Sequence, residues 1–178
     1  MSGIGECTGT LVASKYVITA AHCVDDGNSK PANDVKIRLG EHDTSKSGET
    51  NLPEKLVQVK KIIIHHGFNR RGRYVVPNDI AILELPEEVD LETYTPACLA
   101  ETSDEDTFYD KTATIAGWGL LDGDDSASVP YEVQVPVVPP SVCGWTKFPD
   151  FICAGGNGKS SNSVSTFVWY IYLAGDRQ

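Results

Sequence analysis

A histidine and an aspartate stand out because each is set against an apolar segment. His22 follows a short apolar run and two alanines, and Cys23 can anchor it covalently. Asp79 precedes the apolar residues 80–83, where burial of a carboxylate is costly without a charged or hydrogen-bonding partner. An imidazole can be that partner, and a carboxylate that holds the tautomer of a histidine prepares it to act as a general base. Together the two residues predict acid–base chemistry.

Each residue also has a more ordinary interpretation when it is considered alone. A lone histidine beside a cysteine is commonly a structural residue of the core, and a lone aspartate at the start of a strand is commonly an exposed turn residue. A partner for His22 at Asp79 would explain both positions at once, because it gives each side chain a reason to lie beside apolar residues.

The elements that position these residues are predicted to be strands. Two short strands joined by a turn are expected at 7–12 and 16–21, and half-buried strands where apolar and polar residues alternate. The other expected strands are 35–40, 55–64, 79–85, 112–119, 131–138 and 151–154. A short helix is expected at 141–148, with Ser141 as its N-cap. Many short strands separated by glycine and proline turns predict an all-β fold.

Composition excludes several classes of function. The 178 residues carry a formal net charge of −10, which argues against nucleic acid, since phosphates need lysine and arginine partners. No apolar stretch approaches the ~20 residues of a membrane span. Residues 1–6 show no signal peptide. No cysteine spacing is of the CxxC type, so a zinc site is not expected.

Five motifs carry a resemblance to a known family. Residues 19–23 (Thr-Ala-Ala-His-Cys), 78–81 (Asn-Asp-Ile-Ala), 114–119 (Thr-Ile-Ala-Gly-Trp-Gly) and 152–156 (Ile-Cys-Ala-Gly-Gly) resemble, in chain order, motifs of the trypsin-like serine endopeptidases. Residues 38–44 resemble the arthropod clip-type members. The resemblance implies a chymotrypsin-like double β-barrel with an incomplete second barrel, in a chain truncated at both ends. It also implies a partial protease domain at 6–159 and a divergent tail at 160–178.

The resemblance assigns roles to individual residues. His22 is expected to be the catalytic base and Asp79 the carboxylate that orients it. Cys7 and Cys23 flank one predicted hairpin, and the family pattern pairs them in a disulfide. The pattern also pairs Cys143 with Cys153, and it leaves Cys98 at the position that tethers a pro-segment or light chain in many members.

The sequence departs from the family at the nucleophile. The motif Gly-Asp-Ser-Gly-Gly-Pro is absent, and an ungapped extension places Thr166, within Val-Ser-Thr-Phe-Val, at the position of the serine. The oxyanion donors depend on a tight turn that glycine permits, which this segment would not readily adopt. We therefore expect a serine endopeptidase domain that is inactive as written. The alternative is a non-catalytic protease homologue that binds or regulates partners outside the cell.

Partners and cofactors follow from the same comparison. Protein or peptide substrates, or proteins of an extracellular cascade, are the expected partners, with neither nucleic acid nor membrane among them. No cofactor is expected. Glu41 resembles one ligand of a calcium loop found in some members, with Glu49 as a second candidate, although a solvated acidic loop is the preferred interpretation.

Overall fold

A computed structural model of the chain describes residues 7–28, 31–48, 52–69, 77–100, 108–118, 127–143, 152–155 and 170–173, with only the backbone of 143 and 170–173. The chain divides into two compact units, residues 1–98 and 99–178. Both are built from antiparallel strands, and within the described ranges the only α-helix is the short α1 (Pro140–Cys143). The predicted all-β class is confirmed.

Among its described residues, the first unit contains six strands in two sheets. These are β1 (Thr10–Ala13), β2 (Tyr16–Thr19), β3 (Lys36–Leu39), β4 (Lys55–Gln58), β5 (Lys61–Ile64) and β6 (Ala81–Glu84). One sheet has the strand order β1-β2-β6-β5, and the other pairs β3 with β4.

The single strand predicted at 55–64 was wrong, because the chain changes sheets in its middle. The amide of Val59 donates to the carbonyl of Val35 at 2.9 Å, which continues the contact with the sheet of β3. The next amide, of Lys60, donates to the carbonyl of Glu84 at 2.9 Å and so already belongs to the sheet of β6. The apolar pattern continues through this break, but the backbone partners change.

The core of the first unit lies behind β2 and β6. Buried and more exposed side chains alternate along both strands. Val17 on β2 is 2% exposed and Leu83 on β6 is 3% exposed, whereas Ile82, next to Leu83, is 38% exposed. Ala21 and Phe68 complete the same cluster and are also buried. Burial of these apolar side chains stabilises the two strands whose ends lead to His22 and Asp79.

The second unit contains the remaining strands, β7 (Thr112–Gly117), β8 (Tyr131–Val138), β9 (Cys153–Ala154) and β10 (Tyr170–Leu173). They form one sheet in the order β10-β7-β8-β9. Its buried core consists of Ala113, Ile115, Val135 and Val137. Strand β10 comes from the predicted tail 160–178, of which only 170–173 is described. The predicted helix at 141–148 is reduced to α1, and residues 144–148 lie outside the described part.

Candidate functional site

The register between β2 and β6 brings His22 and Asp79 together. The strands are antiparallel, with Thr19 opposite Ala81, so the end of β2 meets the beginning of β6. His22 lies three residues beyond Thr19, and Asp79 lies two residues before Ala81. Antiparallel pairing therefore delivers both side chains to the same edge of the sheet.

Both residues lie farther from their strands than the sequence predicted. His22 was predicted at the end of a strand, but β2 ends at Thr19 and His22 sits in the 3-10 turn Ala21–Cys23. The turn is closed by the Val24 amide, which donates to the Ala21 carbonyl at 3.0 Å. Asp79 was predicted to open a strand, but β6 begins at Ala81. Because the turn is tight, the backbone amide and the imidazole of His22 can both reach Asp79.

Asp79 accepts two hydrogen bonds from His22. The backbone amide of His22 donates to Oδ1 at 2.8 Å, and Nδ1 of the imidazole lies 2.6 Å from Oδ2. The side chains of His22 and Asp79 are 31% and 25% exposed, so both are partly shielded from water. Because a carboxylate accepts, the bond to Oδ2 places the imidazole proton on Nδ1 and leaves the lone pair on Nε2.

Asp79 stays charged although it is partly buried. Burial by itself would raise the pKa of Asp79, because it disfavours the charged form. The hydrogen bonds from the side chain and backbone of His22, the attraction of the imidazole and a further bond from the Ala21 backbone outweigh burial. Together they hold the pKa of Asp79 below its ordinary value of 3.8. Asp79 is therefore an ionised acceptor at neutral pH.

A disulfide braces the turn that carries His22. Cys7 and Cys23 are bonded to each other, with their Cα atoms 6.2 Å apart. The Sγ atom of Cys23 lies 3.6 Å from Nε2 of His22. Ligand atoms of Cys7, His22 and Cys23 lie within 4.8 Å of one another, but a disulfide sulfur is not the thiolate that zinc requires. The disulfide therefore braces the turn that carries the imidazole, and the three residues do not form a zinc site in this state.

The other predicted cysteines differ in state. Cys98 is a free and exposed thiol. Cys153 is disulfide-bonded, whereas the side chain of its predicted partner Cys143 lies outside the described part. Thr166, the residue at the expected position of the nucleophile, also lies outside it.

The carboxylate of Glu41 is already engaged by nearby groups. Its Oε2 accepts from Nη1 of Arg38 at 2.7 Å, and its Oε1 accepts from the His42 amide at 3.0 Å. A calcium ion would have to displace the Arg38 guanidinium to reach Oε2, so the described residues do not fit a calcium cage. Glu49 lies outside the described residues, and the preference for a solvated acidic loop over a calcium site stays a prediction.

Two residues next to the site were not assigned a role from the sequence. Asn78 directly precedes Asp79, and its side-chain amide donates to the Gly67 carbonyl at 3.3 Å. The sequence contained one signal for Asn78. Asparagine tolerates a left-handed backbone better than most residues, and this asparagine stands directly before Asp79. Nothing in the sequence indicated that its partner would be Gly67.

Comparison with known proteins identifies the family. The sequence profile of the trypsin family matches residues 2–164. The chain belongs to the trypsin family. Members of this family of serine proteases have a chymotrypsin-like double β-barrel, as the motifs predicted, and the matched range contains both His22 and Asp79.

Similar curated proteins include serine proteases of three arthropods. Serine protease SSP1 of Scolopendra subspinipes is 32% identical over 155 residues, which cover 85% of this chain and 51% of that protein. Serine protease filzig of Drosophila melanogaster is 35% identical over 170 residues, covering 88% of this chain and 9% of filzig. CLIP domain-containing serine protease HP8 of Bombyx mori is 31% identical over 147 residues, covering 77% and 39%.

The chain spans about half or less of the length of these relatives. The CLIP domain-containing relative agrees with the clip-type resemblance of residues 38–44. Within the described residues, no helix is both long enough and apolar enough to span a membrane.

Proposed function

We propose that this chain is a trypsin-like serine endopeptidase domain that retains the general base and its orienting carboxylate but does not hydrolyse peptide bonds as written. The observation that supports this proposal is the double hydrogen bond between His22 and Asp79, at 2.8 and 2.6 Å. It gives His22 the tautomer and the orientation that a serine protease requires of its base.

The chemistry of the pair follows from the position of its protons. With Nδ1–H donated to Asp79, Nε2 is the nitrogen that can accept a proton from a hydroxyl nucleophile. Proton transfer to Nε2 produces an imidazolium, and the adjacent Asp79 carboxylate stabilises that positive charge without being protonated itself. The Cys23 sulfur near Nε2 carries no hydrogen, because it belongs to the disulfide, and therefore cannot occupy that lone pair as a donor.

The missing component is the nucleophile. The 178 residues contain no Gly-Asp-Ser-Gly-Gly motif, and residues 164–168 read Val-Ser-Thr-Phe-Val. A threonine hydroxyl can attack a carbonyl in principle. However, the segment also lacks the glycines whose turn would aim backbone amides at the developing oxyanion. We therefore infer a base without a serine to activate.

Hydrolysis of a chromogenic peptide ester by the full chain tests this proposal. We expect the same rate for the wild type and for His22→Ala, and no labelling of either by a fluorophosphonate, which reacts with activated serines. An ester hydrolysis that disappears in His22→Ala would show that the chain has a working nucleophile, and the inactivity would be refuted.

The altered nucleophile segment favours a second candidate, a non-catalytic protease homologue that binds partners outside the cell. This candidate requires a stably folded chain, which sedimentation velocity would show as a single monomeric species. Aggregation of the purified chain would count against it. Protein substrates or cascade proteins remain the proposed partners.

Three further proposals concern the domain and its surroundings. The disulfides favour an oxidising, extracellular environment. The exposed thiol of Cys98 is proposed to tether a pro-segment or light chain, as its position in the family suggests. We also propose that the protease domain covers 6–159 and that 160–178 is a divergent tail.

A further inference from the structure

Asn78 has a backbone conformation that few residues adopt without cost. Its φ is 56°, in the left-handed region, where the Cβ of an ordinary L-residue is crowded by the backbone. Asparagine is among the residues that tolerate this region best. The reversal of the chain at Asn78 comes one residue before Asp79, so it determines the direction in which Asp79 enters the site.

The side chain of Asn78 is anchored to a neighbouring turn. Its Nδ2 donates to the carbonyl of Gly67 at 3.3 Å. That turn is itself fixed, because the Gly67 amide donates to Nδ1 of His65 at 3.1 Å and the Phe68 amide donates to the His65 carbonyl at 3.0 Å. Phe68 is 6% exposed and belongs to the core. The side-chain amide of Asn78 is therefore hydrogen-bonded to a turn whose next residue, Phe68, packs in the core.

Backbone bonds fix the chain on both sides of Asp79. The Ile80 amide donates to the Asn78 carbonyl at 2.8 Å, which forms a tight turn around Asp79. The His65 amide donates to the Ile80 carbonyl at 3.0 Å, so the segment after Asp79 is attached to the same turn as Asn78. The aspartate thus lies between two points that are both attached to residues 65–67.

We propose that Asn78 is a positioning residue that, through its hydrogen bond to Gly67, holds Asp79 in the orientation in which it accepts both hydrogen bonds from His22. This inference rests on the proposed function, since it deepens the assignment of Asp79 as the orienting carboxylate. The side chain of Asn78 acts through Asp79 and does not itself touch the imidazole nitrogens that carry the proposed chemistry.

Gly67 is the complementary half of this contact. A Cβ atom at position 67 would lie 2.6 Å from Nδ2 of Asn78, too close for that atom to remain where it is, whereas its distances of 3.1 Å to Cγ of Asn78 and 3.3 Å to Nδ1 of His65 require only small shifts. Gly67→Ala would therefore displace the amide of Asn78 while leaving the left-handed asparagine in the sequence. Asn78→Gly does the reverse, because it removes the amide and keeps a residue that adopts a φ of 56° easily.

Two NMR signals of the full chain report the orientation of Asp79. The first is the low-field proton resonance of His22 Nδ1–H, which requires a close carboxylate acceptor. The second is the pH titration of the Asp79 side-chain carboxyl carbon. We expect Gly67→Ala and Asn78→Gly each to weaken or abolish the resonance and to raise the pKa of Asp79. Burial persists in these variants, whereas the hydrogen bonds that oppose it lengthen.

The double variant Gly67→Ala/Asn78→Gly distinguishes loss of the Asn78–Gly67 hydrogen bond from independent structural effects of the two substitutions. Without the amide of Asn78, the added methyl group meets no Asn78 side chain, so the double variant is expected to resemble Asn78→Gly. Additive losses would mean that the two residues act separately and would refute the proposal. Asn28→Gly, in an exposed loop, is the matched control, and it should leave both signals unchanged.

Asp79→Asn separates failure of this inference from failure of the proposed function. If Asp79→Asn abolishes the Nδ1–H resonance while folded Asn78→Gly and Gly67→Ala retain the wild-type signals, Asn78 has no positioning role and the proposed function stands. If Asp79→Asn retains the resonance, the pairing itself is wrong and both proposals fail. Either single variant suffices for the test if the other does not give a dispersed spectrum.

Discussion

His22 and Asp79 are 57 residues apart in the sequence, yet the carboxylate of Asp79 accepts from both the backbone amide and the imidazole of His22. The contact is a consequence of the β2–β6 register, in which Thr19 lies opposite Ala81. A slip of one residue would reverse the faces of the paired side chains and separate the two groups. The contact between the proposed base and its carboxylate therefore depends on the β2–β6 pairing being intact.

Removal of the Asp79 carboxylate should destabilise the first unit. Asp79→Ala leaves two partly buried donors of His22 without their acceptor, and we expect a loss of about 1–3 kcal/mol in the free energy of unfolding. Asp79→Asn should cost less, because its Oδ1 can still accept from the His22 amide. Urea denaturation measures both effects. Asp34→Ala, at an exposed position, is the control, and a loss for Asp79→Ala no larger than for this control would contradict the expectation.

Stability should decrease in acid through Asp79 and Asp43. The side chains of Lys46 and Ser45 donate to Asp43 at 2.6 Å each and hold its pKa well below the ordinary value. The pKa of Asp79 is lowered as well. An unfolded carboxylate binds its proton at a higher pH than either folded one, so this stability is complete above the ordinary value of 3.8 and is lost as pH falls through the folded pKa values.

Urea midpoints measured from about pH 6 down to about pH 2 test this acid dependence. Asp43→Asn and Asp79→Asn should each flatten the decrease, since an amide does not titrate. A decrease as steep in both variants as in the wild type would assign it to other carboxylates.

The Cys7–Cys23 disulfide should contribute both stability and order at His22. The bridge joins residues 16 positions apart, and closing a loop of this size stabilises a fold by about 3 kcal/mol in the chain-entropy model. We expect the double variant Cys7→Ala/Cys23→Ala to lose about this much and to lower the urea midpoint accordingly. Cys98→Ala removes an exposed free thiol and should have little effect. Equal midpoints for the two variants would contradict a bracing role.

The small residue before His22 should not tolerate enlargement. Ala21 is 0% exposed and packs in the core of the first unit. Ala21→Leu forces extra atoms into a filled space, and we expect a cost of about 1–3 kcal/mol. The same replacement at the exposed Ala100 should be close to neutral. Thermal unfolding of the two variants compares them, and equal transition temperatures would show that position 21 has room to spare.

Much of the site could be predicted from the sequence because its signals are local. The alternating segment at 131–138 coincides with β8, and the motifs around His22 and Asp79 indicated two residues that do meet. The apolar run at 55–64 misled the prediction, since hydrophobic pattern does not tell which strand will accept a backbone hydrogen bond. The break at Val59 and Lys60 depends on partners distant in sequence.

The details that position the site were less predictable. The 3-10 turn at His22 replaces a simple strand end, and it is closed by backbone bonds that residue types do not specify. Similarly, the anchor of Asn78 is the carbonyl of Gly67, 11 residues away. Such contacts arise from the tertiary arrangement of loops, for which a single sequence contains little local signal.

The tautomer of His22 tests the central claim most directly. Nitrogen-15 NMR of the chain labelled at histidine, at a pH where the imidazole is neutral, reports which ring nitrogen carries the proton. We expect the proton on Nδ1, with its resonance lost in Asp79→Asn, and an unprotonated Nε2. A proton on Nε2 would contradict the claim that Asp79 holds His22 as a base.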